Sequence, residues 1–228
     1  MAIIHKTTLV PGKLELLGEW MPTQPWYVGP GPELTLAKAG GFRLDDPAGE
    51  VGIEFMVVSD GAVTYLVPLT YRGAALPEAE ASLIGTSEHG VLGRRWVYDG
   101  TGDPVLVAQL IALIQGKAEA QAQSLSSTPD PEVTGIPVAG LSLTGTGVLV
   151  ASDKAGTDLR VETGSGEGFA GRPVTLRVHR MLRPGGSTGS GDEAGVPCLS
   201  GTWRLPDGTP ARGIFATIQD RPGFAAGS

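Results

Sequence analysis

The sequence predicts an α+β protein, predominantly antiparallel β-sheet with one long amphipathic helix. Three observations support this fold class. Glycine and proline are abundant, with 35 and 18 residues among 228, which indicates many turns and short strands. Two Asp-Gly pairs, beginning at Asp60 and Asp207, lie between β-rich runs and are typical of hairpins. One strong helix signal begins at Asp103 and Pro104.

The first hundred residues are mostly β-rich runs separated by turn-forming residues. A proline-rich loop at 21–32 interrupts them, and it exposes or cradles Trp26 and Tyr27. We predict strands in this region at residues 3–10, 13–20, 42–44, 51–58, 63–70, 83–84 and 94–98.

The helix signal combines a capping residue, a proline and an apolar face. Asp103 can cap the helix and Pro104 suits its first position. Leu106, Leu110 and Leu113 recur at helical spacing, so we expect this face to pack on the sheet. The Ala- and Gln-rich residues 118–123 favour a continuation of the helix.

A Ser- and Pro-rich stretch at 124–137 is the clearest linker, and β-rich runs resume after it. We therefore predict one domain over residues 1–102 and a second segment, helix included, over 103–228. A glycine-rich loop is expected at 184–195. The predicted strands after the linker are residues 138–151, 158–163, 174–180, 202–205 and 213–218.

Charge and composition exclude several classes of function. The formal net charge of −7 argues against binding to nucleic acid or to an anionic membrane. No apolar run approaches the roughly 18–20 residues of a membrane span. The amino terminus lacks the features of a secretory signal, and Cys198 is the single cysteine. We expect a cytoplasmic protein without disulfides.

A glycine-rich motif and an arginine are the candidates for nucleotide binding. Residues 166–171 match G-x-G-x-x-G, and their strand–loop–strand context fits the phosphate-covering loop of protein kinases. Gly166 and Gly168 would approach phosphate, with Arg177 on the next strand. A chance match in a glycine-rich chain and an edge-strand arginine that faces solvent are the alternatives.

The sequence contains no recognisable catalytic motif. No His-x-Asp segment, nucleophile elbow or zinc-ligand spacing is present, so we expect no catalytic residue, metal site or cofactor. Glu88 is expected to pair with Arg94 or Arg95. Arginine and aromatic residues favour interfaces, so Trp26, Tyr27, Arg94 and Arg95 are the candidate partner-binding residues.

Three ordered blocks resemble a known family. EVGIEFMVVSDG at 50–61, YLVPLTYR at 65–72 and LIGTSEHGVLGRRWVYDGTGDPV at 83–105 resemble the N-terminal cap of actinobacterial maltokinases. Those enzymes phosphorylate maltose with ATP on a route to α-glucan. The resemblance implies a cystatin-like cap domain over residues 1–102.

A second set of blocks resembles the small lobe of the kinase domain in the same family. These are VTLRVHRMLRPG at 174–185 and VPCLSGTWRLPDG at 196–208. Arg177 stands where the family has a phosphate-contacting lysine, and no large lobe follows in this sequence. The resemblance therefore implies a cap followed by a degenerate, β-rich small lobe.

The resemblance implies a non-catalytic accessory or regulatory protein in α-glucan, trehalose or glycogen metabolism. Its partner would be a trehalose- or maltose-metabolising enzyme or a separate kinase. Two alternatives stay open: a sugar kinase component completed by a partner chain, and a glucan-processing enzyme of the branching type. The sequence leaves the ligand, the partner and the oligomeric state open.

Overall fold

Two antiparallel β-sheets and two α-helices make up the described part of the chain. The computed structural model describes residues 9–29, 34–123, 128–154, 156–164, 172–185 and 196–219. All strand pairs are antiparallel, which confirms a predominantly antiparallel β architecture. The helices are α1 (Lys13–Trp20) and α2 (Pro104–Ile114), and short 3-10 helices lie at Met21–Thr23, Pro77–Ser82 and Gly100–Gly102.

The strands divide into a first sheet of eight strands and a second of six. The first sheet runs in the order β1-β5-β6-β4-β3-β2-β7, with β12 also paired to β4. The second runs in the order β8-β13-β14-β11-β10-β9. The strands are β1 (Leu9–Val10), β2 (Leu36–Leu44), β3 (Gly52–Asp60), β4 (Val63–Arg72), β5 (Leu83–His89), β6 (Gly93–Asp99), β7 (Gln121–Ala122), β8 (Thr134–Gly135), β9 (Leu143–Ser152), β10 (Gly156–Thr163), β11 (Val174–His179), β12 (Met181–Leu182), β13 (Val196–Arg204) and β14 (Pro210–Gln219).

Both Asp-Gly hairpins are confirmed. Asp60 pairs with Val63 at the tip of the β3–β4 hairpin, which leaves a two-residue loop that begins with Gly61. Gly61 has a φ of 55°, a left-handed conformation that glycine adopts without steric cost. Gly208, with a φ of 84°, has the same role between β13 and β14. The turn chemistry therefore fixed both hairpins locally.

The helix predicted at Asp103 is confirmed, although it is shorter than expected. The Asp103 carboxylate accepts a hydrogen bond from the Val105 amide at 2.9 Å, and Pro104 occupies the first turn. The helix ends at Ile114, and Gly116 adopts a φ of 69°. The helical continuation over 118–123 is wrong, because β7 forms there and pairs with Phe42 and Arg43 of β2.

The predicted strand at 13–20 is also wrong, because these residues form α1. The Glu15 carboxylate accepts a hydrogen bond from the Gly12 amide at 2.6 Å and so caps the first turn. Leu17 and Met21 lie four residues apart and are both buried. Their spacing is helical, so α1 places one apolar face on the first sheet, against a cluster that includes Trp26 and Tyr65.

The main hydrophobic core uses side chains from both predicted segments. Phe42 stacks on Phe55 at 4.5 Å between ring centroids and faces Phe215 of β14 at 6.3 Å. The buried face of α2 belongs to the same cluster, together with residues of both sheets. Strands β7 and β12 come from after residue 102 and pair within the first sheet. The division into two domains at 102/103 stays a prediction, and the main core includes side chains from both sides of it.

Two glycines in β2 allow neighbouring strands to approach closely. A Cβ atom on Gly40 would lie 3.3 Å from the Trp203 Cα atom of β13. Gly41 has a φ of 133°, and the Phe55 carbonyl oxygen closes off the space where its Cβ would lie. A side chain at residue 40 would push β13 of the second sheet away, and one at residue 41 would push away β3 of the first sheet, so both positions require glycine.

A fully buried arginine connects the two sheets. Arg180 lies between β11 and β12, and its Nη2 atom donates to Asp99 Oδ2 at 2.6 Å and to Thr101 Oγ1 at 3.0 Å. Its Nε atom donates to Thr157 Oγ1 at 2.8 Å. The guanidinium also lies 5.1 Å from the ring centroid of Trp26. Arg180 therefore links β6 of the first sheet to β10 of the second.

Replacing Asp99 tests this connection. We expect Asp99→Ala to lower the free energy of unfolding by about 3–5 kcal/mol, because Arg180 would stay buried without its carboxylate. Urea denaturation followed by tryptophan fluorescence measures this difference. Glu88→Ala is the matched control, since its ion pair with Arg94 is exposed and contributes at most about 1 kcal/mol. Equal losses in the two variants would contradict the assignment.

Removing residues 104–228 tests whether the first segment folds without the second. The truncation would expose the Phe42 and Phe55 side chains, which α2 and Phe215 cover in the full chain. We expect the fragment to show no cooperative thermal transition, because its largest apolar face would have no partner layer. Circular dichroism melting measures this. A sigmoidal melt like that of the full chain would show that the first segment is independent.

Candidate functional site

The predicted nucleotide site is described only in part. Gly166 and Gly168 lie outside the described residues. Arg177 lies on β11, between β10 and β14 in the middle of the second sheet, and its side chain is 3 % exposed. The interpretation of Arg177 as an edge-strand residue facing solvent is therefore wrong. Its nucleotide-binding role stays a prediction.

Arg177 is bound by two carboxylates from the neighbouring hairpin. Its Nε and Nη2 atoms donate to the two oxygens of Asp158 at 2.6 and 2.8 Å, and Nη2 also donates to Asp153 at 3.2 Å. Asp158 lies directly opposite Arg177 in the β10–β11 register. A two-point pairing of this kind fixes the plane of the guanidinium, so the arginine is held within the sheet.

His179 follows on the same strand and is also largely buried. Its Nε2 atom lies 3.1 Å from the Thr217 hydroxyl of β14. Burial, together with the positive charge of Arg177, lowers the pKa of His179 from its usual 6.5 to about 4. The imidazole is therefore neutral in the folded protein near pH 7.

The depressed pKa of His179 predicts a pH dependence of stability. The unfolded chain takes up a proton near pH 6.5 and the folded chain only near pH 4, so stability falls as the pH is lowered between these values. The loss is up to about 3 kcal/mol over the full window. Urea denaturation at pH 7 and pH 5 measures it. We expect His179→Gln to flatten this part of the profile, and an unchanged slope would contradict the assignment.

The two aromatic candidates for partner binding lie in different environments. Trp26 is 0 % exposed and packs in the cluster under α1, with Trp20 at 5.6 Å and Tyr65 at 5.9 Å between ring centroids. The expectation that Trp26 offers contact surface is therefore corrected: it is a core residue, because a large apolar ring gains more by filling the space below α1. The proline-rich loop therefore does not present Trp26 at the surface.

Tyr27 is partly exposed but is held in place. Its hydroxyl donates to Asp60 Oδ2 at 2.6 Å, and its ring lies 5.5 Å from that of Tyr65. Burial, followed by the hydrogen bond and the charge of Asp60, raises the pKa of Tyr27. The residue therefore fastens the 24–29 loop to the tip of the β3–β4 hairpin.

Arg94 and Arg95 lie at the tip of the β5–β6 hairpin. Arg94 donates to Glu88 Oε1 at 2.9 Å, which confirms the predicted structural pairing, and both side chains are well exposed. Arg95 donates to the Leu92 carbonyl at 2.7 Å. Beside them, Val91 is 62 % exposed and Leu92 is 46 % exposed. We call Val91, Leu92, Arg94 and Arg95 the hairpin-tip surface.

The structure does not bring the four partner-binding candidates together. Tyr27 contacts Asp60, which lies opposite Val63 at the start of β4. The hairpin-tip surface lies beyond Arg72, where β4 ends opposite Trp96. Nine steps of about 3.3 Å along β4 separate these positions by ~30 Å. A single small contact site cannot include both ends, so the hairpin tip and the Tyr27 loop are separate candidates.

A buried carboxylate that the sequence analysis did not single out forms the centre of a polar cluster on the first sheet. Glu54 Oε2 accepts hydrogen bonds from Lys13 of α1 and, at 2.7 Å, from the Tyr71 hydroxyl. Gln123 donates to Oε1 at 2.7 Å. Burial acts to raise the pKa of Glu54, but Lys13 and these hydrogen bonds lower it overall. The sequence does contain a signal for this cluster, because Glu54 is the single charged residue in the apolar run GIEFMVV.

The Glu54 cluster connects three elements around the first sheet. Three different elements, α1, β4 and the residue after β7, meet at the Glu54 carboxylate. Over the described ranges, no group of three or more His, Cys, Asp or Glu side chains is placed to hold a metal ion. The helices described here are also too short to span a membrane.

Comparison with known proteins identifies the first segment. Residues 20–103 match the family model of the maltokinase N-terminal cap domain. The match runs from the end of α1 through β6 to the capping residue of α2, and it confirms the family suggested by the three sequence blocks. No curated protein matches the chain. This match covers residues 20–103 and assigns that segment alone to the family.

Proposed function

We propose that the chain is a non-catalytic accessory or regulatory protein related to the N-terminal half of maltokinases. It would act in α-glucan, trehalose or glycogen metabolism by binding a protein partner. The observation that carries this proposal is the match of residues 20–103 to the maltokinase N-terminal cap domain. Because this match covers the cap, we assign the activity to the surface of the cap.

The environment of Arg177 supports a non-catalytic role. In the proposed small lobe this residue would stand in place of the phosphate-contacting lysine. Here its Nε and Nη2 atoms are engaged, because Asp158 accepts two hydrogen bonds from them and Asp153 accepts a third. Releasing it toward a nucleotide would leave Asp158 buried without its cation, a cost of about 3–5 kcal/mol. Arg177 therefore serves the sheet in this proposal.

The hairpin-tip surface is the part of the cap best suited to a protein partner. Exposed apolar side chains lie beside arginines there. Arginine is enriched at interfaces, and the buried core of an interface is more apolar than the rest of the surface. Tyr27 is fastened by Asp60 and Trp26 is buried, so neither aromatic ring is a free anchor at the opposite end of the sheet. We therefore assign partner binding to Val91, Leu92, Arg94 and Arg95.

Binding to purified enzymes tests the proposal. We expect the chain to bind a maltokinase or a trehalose-processing enzyme from its own organism, as measured by isothermal titration calorimetry. Arg94→Ala and Leu92→Ser should each raise the Kd about tenfold or more. Arg204→Ala is the matched control, because Arg204 is exposed on β13 and should leave the Kd unchanged.

The same protein preparation tests the competing enzymatic functions. With ATP, Mg²⁺ and maltose we expect no phosphate transfer above the blank, and with amylose no change in iodine staining. Phosphate transfer that disappears on replacing a side chain of this chain would overturn the non-catalytic proposal. Micromolar ATP binding that depends on Mg²⁺ would do the same for the assignment of Arg177.

A further inference from the structure

Within the described part of the chain, strand β9 forms an edge of the second sheet that is uncharged and carries exposed apolar side chains. Strand β9 is the terminal strand of that sheet and pairs only with β10 among the described strands. Val148 is 69 % exposed, and Leu149 and Val150 beside it are each 39 % exposed. Residues 141–152 carry no charged side chain and no proline. Edge strands of monomeric proteins commonly carry such residues to prevent pairing with another chain.

We propose that β9 pairs with β9 of a second copy of this chain, so that two six-stranded sheets join into one sheet of twelve strands. An antiparallel strand can pair with an identical strand about a two-fold axis, which gives a closed dimer with no free edge left at that position. The proposal is independent of the cap and of the function assigned to it.

The regular part of β9 sets the position of the axis. The β9–β10 register is interrupted between Asp158 and Leu159 and again between Val161 and Thr163, which leaves Gly147, Val148 and Leu149 as consecutively paired residues. With the axis at Val148, Gly147 lies opposite Leu149 of the second copy. A small residue then faces a large one on each side of the axis, and the exposed Val148 side chains meet each other.

The charges near the edge permit a second copy to approach. The whole chain carries a net charge of −7, so two copies repel each other over most of their surfaces. Beside β9, Arg160 lies opposite Val148 on β10 and forms an exposed ion pair with Glu162 at 3.4 Å. The two charges cancel locally. The β9 edge is therefore a place where two acidic chains meet without bringing like charges together.

The mass of the full chain in solution tests the proposal. At about 100 μM, light scattering after size exclusion should give twice the chain mass of 23.5 kDa. Val148→Lys places two ammonium groups opposite each other at the axis and should return the mass of one chain. Val196→Lys is the matched control, because Val196 is exposed on β13 and its variant should remain dimeric.

Amide hydrogen exchange on the wild-type protein provides a second measurement that requires no variant. Pairing should slow exchange in peptides that cover residues 143–152 by about tenfold on going from dilute to concentrated protein. Exchange in the β5–β6 hairpin should not change with concentration. A wild-type mass of one chain, a Val148→Lys dimer, or exchange in β9 that does not depend on concentration would each overturn the proposal.

Discussion

The buried Arg180 side chain is the interaction on which the arrangement of the two sheets depends. A guanidinium without access to water is stable only where carboxylate, hydroxyl and aromatic groups surround it, and Asp99, Thr101, Thr157 and the Trp26 ring supply these groups. They come from the loop after α1, the end of β6 and the start of β10. These groups surround the guanidinium only when the two sheets are correctly placed. The buried charge of Arg180 therefore favours one relative placement of the sheets.

The backbone at Arg180 also connects the second segment to the first sheet. One edge of β4 pairs along its length with β3, while its other edge is divided between β6 at Leu69–Arg72 and β12 at Thr64–Tyr65. The Arg180 carbonyl accepts the Leu66 amide at 2.8 Å, next to the β12 pairing. The chain of the second segment thus completes a sheet that consists mostly of the cap. Together with the main core that both segments share, this pairing joins the second segment to the first.

The candidate sites were predictable from sequence only where the signal is local. The pairing of Glu88 with Arg94 follows from two residues on adjacent arms of one hairpin, and it is found as expected. The sequence does not predict the burial of Trp26. Whether an aromatic residue in a proline-rich loop is exposed depends on what packs over it, and α1 covers Trp26. The burial of Arg177 was missed for a similar reason: Asp158 becomes its partner only through the β10–β11 register. The glycine motif at 166–171 lies outside the described residues.

The sequence by itself determined the features that depend on neighbouring residues. These are the two Asp-Gly hairpins, the Asp103 cap with its apolar helix face, most strands and the cap family over residues 20–103. Residues 13–20 form a helix and residues 121–122 form a strand because of tertiary contacts. Each segment is stabilised by packing on, or pairing with, the first sheet, and local sequence does not show this. Tertiary structure also decided which charges are buried. A buried ion pair requires desolvation of both groups at once, and partners such as Asp99 and Arg180, far apart in sequence, meet only in the folded chain.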